Sequence, residues 1–178
     1  MLRSLTFGLL LMPLVMLSAA HAHGPTRQKA METVEIDLPA EKVWAAIGDF
    51  QNLNWHPVID KTEGEGGNEP GAKRKLTLTG GANIFEELLK YDADSRLMKY
   101  IITEVDVKVL PVNNYSSILR VEDLGGSKSR VIWKGAFYRG YMNNDPPEDL
   151  NDAAAVKAVK GIYRGGLDEL KKKLEAAG

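Results

Sequence analysis

Between Val58 and Arg139 the chain contains only strand-length apolar runs, cut at short intervals by Gly, Asn and Asp. These runs predict strands over 58–64, 72–79, 82–91, 97–108, 114–123 and 129–139, separated by Gly64 to Gly71, Gly80-Gly81, Asp92 to Ser95, Pro111 to Asn114 and Gly125-Gly126. Connections this short cannot return a chain in the parallel sense, which takes a dozen residues or more. Consecutive strands must therefore pair as an antiparallel meander, and such a sheet needs one face covered.

The flanking segments supply that cover. Met31-Glu32-Thr33-Val34-Glu35-Ile36-Asp37 alternates apolar with polar and predicts a further strand, stopped by Pro39. Pro39 and Glu41 in a first turn, followed by Val43, Trp44, Ile47 and Phe50, predict a short amphipathic helix. Asn52 to His56 predicts a second helical turn, ended by the restriction that Pro57 places on His56. At the other end Asp145-Pro146-Pro147-Glu148 has the form of a capping box and predicts a helix running to about Ala176. Leu150, Ala153, Val156, Val159, Ile162 or Tyr163, Leu167, Leu170 and Leu174 recur along it at threes and fours, as in a helix laid on a sheet. Gly161, Gly165 and Gly166 would each cost about 1 kcal/mol relative to Ala inside a helix, so it either bends there or passes close to a backbone. The expected class is α+β, one curved antiparallel sheet of about seven strands in the order strand, two short helices, six strands, long helix. Trp44, Phe50 and Trp133 are expected in its core.

The first 22 residues read as a cleaved signal peptide: Arg3 gives a positive start, Leu5 to Leu17 an apolar run, and Ala20-His21-Ala22 a small-x-small site. That run is shorter than the roughly 20 residues of a membrane span, so a secreted protein without a retained span is expected. Residues 23–29 read as a flexible arm and 30–178 as a single domain. With 23 Lys plus Arg against 24 Asp plus Glu, no overall field collects phosphates, and nucleic acid is not an expected partner. The absence of cysteine excludes disulfides, iron–sulfur clusters, Cys-anchored zinc and thiol nucleophiles. Cleavage would leave only His23 and His56 as histidines, and Asn143-Asn144-Asp145 offers too few oxygens for calcium, so neither metal nor cofactor is expected.

The order of elements resembles the helix-grip fold of the START-like (SRPBCC) superfamily, which includes polyketide cyclase/dehydratase-like proteins. Pro39-Ala40-Glu41-Lys42-Val43-Trp44, Glu86-Glu87-Leu88 with Tyr91-Asp92, and Tyr115-Ser116-Ser117 followed by Val131-Ile132-Trp133 carry the likeness over about residues 31–176. Longer runs are similar to the periplasmic MxaD-like proteins of methylotrophs: Thr62 to Asn68, Ile102 to Val112, Trp133 to Tyr141, and Asn143 to Pro147. That resemblance implies a non-catalytic accessory of methanol oxidation, promoting productive contact between methanol dehydrogenase and its cytochrome c acceptor.

By resemblance to ligand-binding members of the superfamily, Trp55, His56, Glu86, Tyr100, Tyr115, Ser117, Trp133 and Tyr163 are candidates to line a cavity for a small hydrophobic ligand. A His56–Glu86 pair could serve general acid/base chemistry, each shifting the other's pKa; the simpler reading packs His56 at a helix end and lets Glu86 reach solvent at the cavity mouth. No nucleophile motif and no phosphate-binding loop accompanies them, and the chain is not expected to be an enzyme. Tyr138, Arg139, Tyr141, Met142, Asn143 and Asn144 join residue types enriched at protein interfaces and are candidates for partner contact; alternatively Tyr138 and Tyr141 close one end of the cavity. Lys171-Lys172-Lys173 reads as a solvated helix end.

Overall fold

The computed structural model describes residues 24–177 and contains one seven-stranded antiparallel sheet gripping a long C-terminal helix. The elements are β1 (Gln28–Ile36), α1 (Ala40–Ile47), β2 (Ile59–Glu65), β3 (Lys73–Leu78), β4 (Asn83–Asp92), β5 (Leu97–Val105), β6 (Val112–Gly125), β7 (Lys128–Arg139), a single 3-10 turn (Glu148–Leu150) and α2 (Asp152–Ala177). The strand order is β1-β7-β6-β5-β4-β3-β2, so β2 to β7 are the expected meander and β1 closes it by pairing with the last strand. The hairpin between β6 and β7 turns on Gly125 and Gly126, both at positive φ (81° and 61°), which matches the twist of the flanking strands. The segment expected to be a signal peptide, and His23, lie outside the described residues.

Alternation decides which side chains face the helix. Ala30 and Ile36 of β1, Met98 and Tyr100 of β5, Leu119 and Val121 of β6, and Val131, Trp133 and Phe137 of β7 are buried on the inner face, which α1 covers over β6 and β7 and α2 over β1 and β7. The buried residues of α2 are Ala155, Val159, Tyr163, Gly166, Leu167 and Leu170. This stripe lies slightly round from the predicted one, for Ala153 is exposed while Ala155 is buried. Phe50 and Trp133 are core residues, whereas Trp44 is only half-buried. On the other side of α2, Arg164 donates to Thr33 O (3.1 and 3.2 Å) and Lys171 to Glu35 O (2.7 Å). Helix cations thereby occupy carbonyls on the open edge of β1.

Four expectations need correction. The second short helix does not form: Asp49 Oδ1 accepts from Gln51 N, Asn52 Oδ1 from Asn54 N, and Thr62 Oγ1 from Leu53 N. Side chains of this type compete for the backbone donors that a helix needs, and residues 48–58 run as turns instead. Strand β1 starts at Gln28, inside the presumed flexible arm, because β7 extends to Arg139 and offers Phe137 and Ala136 as partners to Gln28 and Lys29. Strand β5 stops at Val105, where Asp106 turns the chain by accepting from Lys108 N through Oδ1 and from Val109 N through its carbonyl. The capping box at Asp145 does not cap α2: Tyr141 N takes the Leu150 carbonyl, and Asn151 Oδ1 accepts from Ala154 N at 2.8 Å to start the helix.

The three helix glycines divide into two kinds. Around Gly161 and Gly165 a side chain would meet open space, whereas at Gly166 it would collide with the His56 ring. Close approach accounts for Gly166 alone. Urea denaturation should therefore show Gly161→Ala and Gly165→Ala stabilising the protein by up to about 1 kcal/mol each, and Gly166→Ala destabilising it.

Candidate functional site

Under α2 the inner face of the sheet leaves a small internal cavity. Its walls are Leu53, His56 and Ile59 from the turns after α1, Leu76, Ile84, Glu86, Tyr100, Tyr115 and Trp133 from the sheet, and Val159, Ile162 and Tyr163 from α2. The space open to the centre of a water-sized sphere is about 40 Å³, enough for two or three waters. Of the candidate residues, His56, Glu86, Tyr100, Tyr115, Trp133 and Tyr163 lie on its wall. Trp55 and Ser117 stand just behind: Trp55 packs 5.7 Å from the Trp133 ring, and Ser117 Oγ lies 3.1 Å from the Tyr163 hydroxyl.

Three polar clusters face this space, each satisfied from within. In the first, Tyr163 lies stacked on Trp133 with centroids 4.6 Å apart and puts its hydroxyl 2.6 Å from that of Tyr115. Trp133 Nε1 donates to Tyr100 Oη (2.9 Å) and Ser117 Oγ (3.0 Å), and Ser117 donates on to Lys134 O. Burial pushes the Tyr100 hydroxyl up to about 12 and raises those of Tyr115 and Tyr163 as well, so all three stay protonated at physiological pH.

The second cluster is an ion pair. Arg74 Nε donates to Glu86 Oε2 at 2.6 Å with both side chains almost wholly buried, and Arg74 Nη1 donates to Phe50 O at 2.8 Å. The guanidinium sits over the rings of Phe50 (4.3 Å) and Tyr100 (5.0 Å). Burial raises the Glu86 pKa, with the charge and hydrogen bond of Arg74 pulling the other way. The guanidinium keeps its charge, and the carboxylate at 2.6 Å is the form of Glu86 that gives this buried cation a counter-charge. Glu86 therefore does not reach solvent. Arg74 was absent from the sequence reading, although Gly80-Gly81 carried the signal for it. A tight turn there pairs Thr77 with Asn83 and Leu76 with Ile84, and two residues further on sets Arg74 opposite Glu86, both facing inward.

The third cluster is His56 alone. Its Nε2 lies 3.0 Å from Ile162 O, an acceptor only, and its Nδ1 accepts from Val58 N at 3.3 Å. The neutral tautomer with hydrogen on Nε2 satisfies both contacts. His56 and Glu86 are thus engaged with different partners, and the two do not pair with each other as acid/base chemistry would need. The connection after β7 is likewise rearranged from expectation. Arg139 is buried, donating from Nε to Tyr141 O (2.7 Å) and from Nη2 to Asn143 O (2.9 Å), and lying 3.5 Å from Asp152. It holds the loop from inside. Tyr138 and Tyr141 are half-buried away from the cavity, Tyr138 under Arg27 at 5.5 Å, while Met142, Asn143 and Asn144 are exposed. Among the described residues no group of three or more His, Asp or Glu is arranged to hold a metal.

A double-mutant cycle tests the ion pair. Arg74→Met alone strands a buried carboxylate and should cost about 3–5 kcal/mol in urea, whereas Arg74→Met with Glu86→Leu should recover most of that loss. A double-variant cost equal to the sum of the Arg74→Met and Glu86→Leu single costs would show that the pair is not coupled.

Comparison with known proteins agrees with this architecture. The family described as polyketide cyclase / dehydrase and lipid transport matches residues 27–175. The chain is similar to MLP-like protein 423 of Arabidopsis thaliana, 30% identical over 139 residues, which span 72% of this chain and 87% of that one. Among solved structures it is similar to the protein XoxI from Bacillus cereus, at 29% identity and a TM-score of 0.71, covering 84% of this chain and 98% of that one. It shares its fold with norcoclaurine synthase from Thalictrum flavum, at 15% identity and a TM-score of 0.63, covering 97% and 99%. The last is an enzyme, so this helix-grip fold hosts catalysis in some proteins. The sheet, the gripping helix and the match over nearly all described residues make this chain a member of the polyketide cyclase/dehydrase and lipid transport family.

Proposed function

We propose that this protein is a non-catalytic periplasmic accessory of methanol oxidation, acting by contact to promote electron transfer from methanol dehydrogenase to its cytochrome c acceptor. The observation that carries the reading is the state of the interior. A cavity of about 40 Å³ is far below the roughly 300–1,000 Å³ of small-molecule sites. Its polar groups are occupied by one another, and the lone pair of His56 that a general base would use already accepts from Val58 N. Work done by contact has to be done on the outside.

Two of the runs that resemble MxaD-like proteins come together there. The β5–β6 connection and the segment after β7 meet where Asn113 Nδ2 donates to Arg139 O (3.0 Å) and Gly140 O (2.8 Å). This rim presents Val109 and Met142, 42% and 40% exposed, beside Asn143 and Asn144. Large apolar side chains left in water on neighbouring loops suit a protein contact. The proposed periplasmic location rests on the sequence of the first 22 residues.

A second reading is favoured by the apolar walls: a carrier of a small hydrophobic molecule that enters when α2 and the turns after α1 separate. Native mass spectrometry of protein taken from its own periplasm would show a co-purified small molecule under that reading, and none under the first.

The rate of cytochrome reduction by methanol dehydrogenase should rise with added protein and saturate. Val109→Asp with Met142→Asp should lower that gain several-fold in a protein with unchanged circular dichroism, while His56→Gln should leave it nearly intact. No gain at any ratio would overturn the proposal. His56 also predicts a pH effect, since burial lowers its pKa. As pH falls through about 6.5 the unfolded chain binds a proton that the folded ring refuses, so stability falls on that side, by at most about 1.4 kcal/mol per unit. Urea midpoints between about pH 7.5 and pH 5.5 should show this slope in the wild type and a flatter one in His56→Gln.

A further inference from the structure

We propose that a basic groove on the outer face of the sheet is a docking site for an acidic segment of a partner protein. Strand register builds it. Met31, Lys134, Ile118 and Lys99 stand in one row across β1, β7, β6 and β5, with Lys29, Ala136 and Ser116 in the next. Lys160 of α2 reaches the same hollow around the β1 edge, which has a volume of about 690 Å³. Four exposed lysines line it and no carboxylate does, on a chain whose net charge is -1. Of the acids around it, Glu32 is engaged with Arg164, Glu35 with Arg130 and Glu122 with Arg120, while Glu87 stands diagonal to Lys99 at the far end of the row. Arg27 adds a further cation at one end, held by Ser116 Oγ (3.1 Å) and Ala136 O (3.3 Å).

These ammonium groups repel one another. Lys29 and Lys134 are diagonal neighbours on paired strands, about 7–8 Å apart at the backbone, and Lys134 and Lys99 are two strands, about 10 Å, apart. Such separations are close to the Debye length of about 8 Å at physiological salt, so the repulsion is only partly screened. An occupant carrying several carboxylates relieves it. The groove also sets apolar Met31, 59% exposed, and Ile118 between the cations. A protein segment, with apolar and acidic side chains together, can match both, which a bare anion cannot. Because the hollow is floored by the small Gly135 and Ala136, it admits a protruding segment better than a flat bilayer. The inference goes beyond the accessory reading and does not depend on which protein meets the Val109–Met142 rim.

The test is an amide chemical-shift titration of the isotope-labelled protein with a hexaglutamate peptide, run beside inorganic phosphate and phosphatidylglycerol vesicles. Saturable shifts confined to Lys29–Met31, Ser116–Ile118 and Lys134–Ala136, weakening as salt is raised, are expected from the peptide. Lys99→Glu with Lys134→Glu should weaken binding at least about tenfold at an unchanged melting temperature. The same charge change at Lys42→Glu with Lys172→Glu should alter it less than about twofold. The proposal is overturned if phosphate produces the same shifts at the same concentration, if vesicles bind and the peptide does not, if the peptide's shifts lie elsewhere or are absent, or if the two charge-reversal pairs lose affinity equally.

Discussion

The position of α2 against the sheet depends on where the Tyr163 hydroxyl can go. The ring lies flat on Trp133, and its oxygen reaches between Tyr115 and Ser117. Gly135 makes this possible, for a side chain there would run into that oxygen. With the hydroxyl bonded and the ring stacked, the helix cannot slide along the sheet without leaving a buried donor unpaired, at a cost of about 1–3 kcal/mol. Gly166, one turn on, lets His56 and Trp133 close against the helix backbone. The same contacts that seat the helix fill the space beneath it. The small size of the cavity is thus a consequence of how this helix is anchored, and enlarging it would require the anchor to be released.

Legibility in the sequence followed the range of the interaction involved. Strands and the long helix were readable because alternation and the threes-and-fours spacing are local patterns, and the meander followed from short connections alone. Six candidate residues were set on the cavity wall by the resemblance to ligand-binding members of the superfamily, and for Glu86, Tyr100, Tyr115 and Trp133 strand parity gives the physical reason they face inward. What was missed depends on competition at single atoms. The predicted turn of helix at 52–57 gave way to Asp49, Asn52 and Thr62 oxygens, each taking one backbone donor. The helix start moved to Asn151 because Tyr141 had taken the Leu150 carbonyl. Arg139, chosen for its chemistry as a surface contact, turned inward to hold the carbonyls of its own loop. Arg74 was the costlier omission, since strand parity together with the Gly80-Gly81 turn sets it opposite Glu86.

The inner and outer faces of the sheet treat charge in opposite ways. Inside, Arg74 and Glu86 neutralise each other at 2.6 Å, and every hydroxyl in the aromatic cluster finds a neighbour. A buried pair of this kind is weak evidence for stability, because desolvation offsets much of its attraction. Its effect here is to tie β3 and β4 to the Phe50 carbonyl, which closes the wall of the cavity nearest the turns after α1. Outside, four lysines line one hollow without a carboxylate among its walls. A cavity wall whose hydroxyls, ion pair and imidazole are already bonded has little left to offer a ligand beyond the unpartnered Trp55 Nε1 behind it, whereas an uncompensated surface gains by meeting one. In a fold whose relatives include enzymes, both proposals made above rest on that asymmetry, and under them electrostatic contact at the exterior acts first on the rate and orientation of encounter rather than on final affinity.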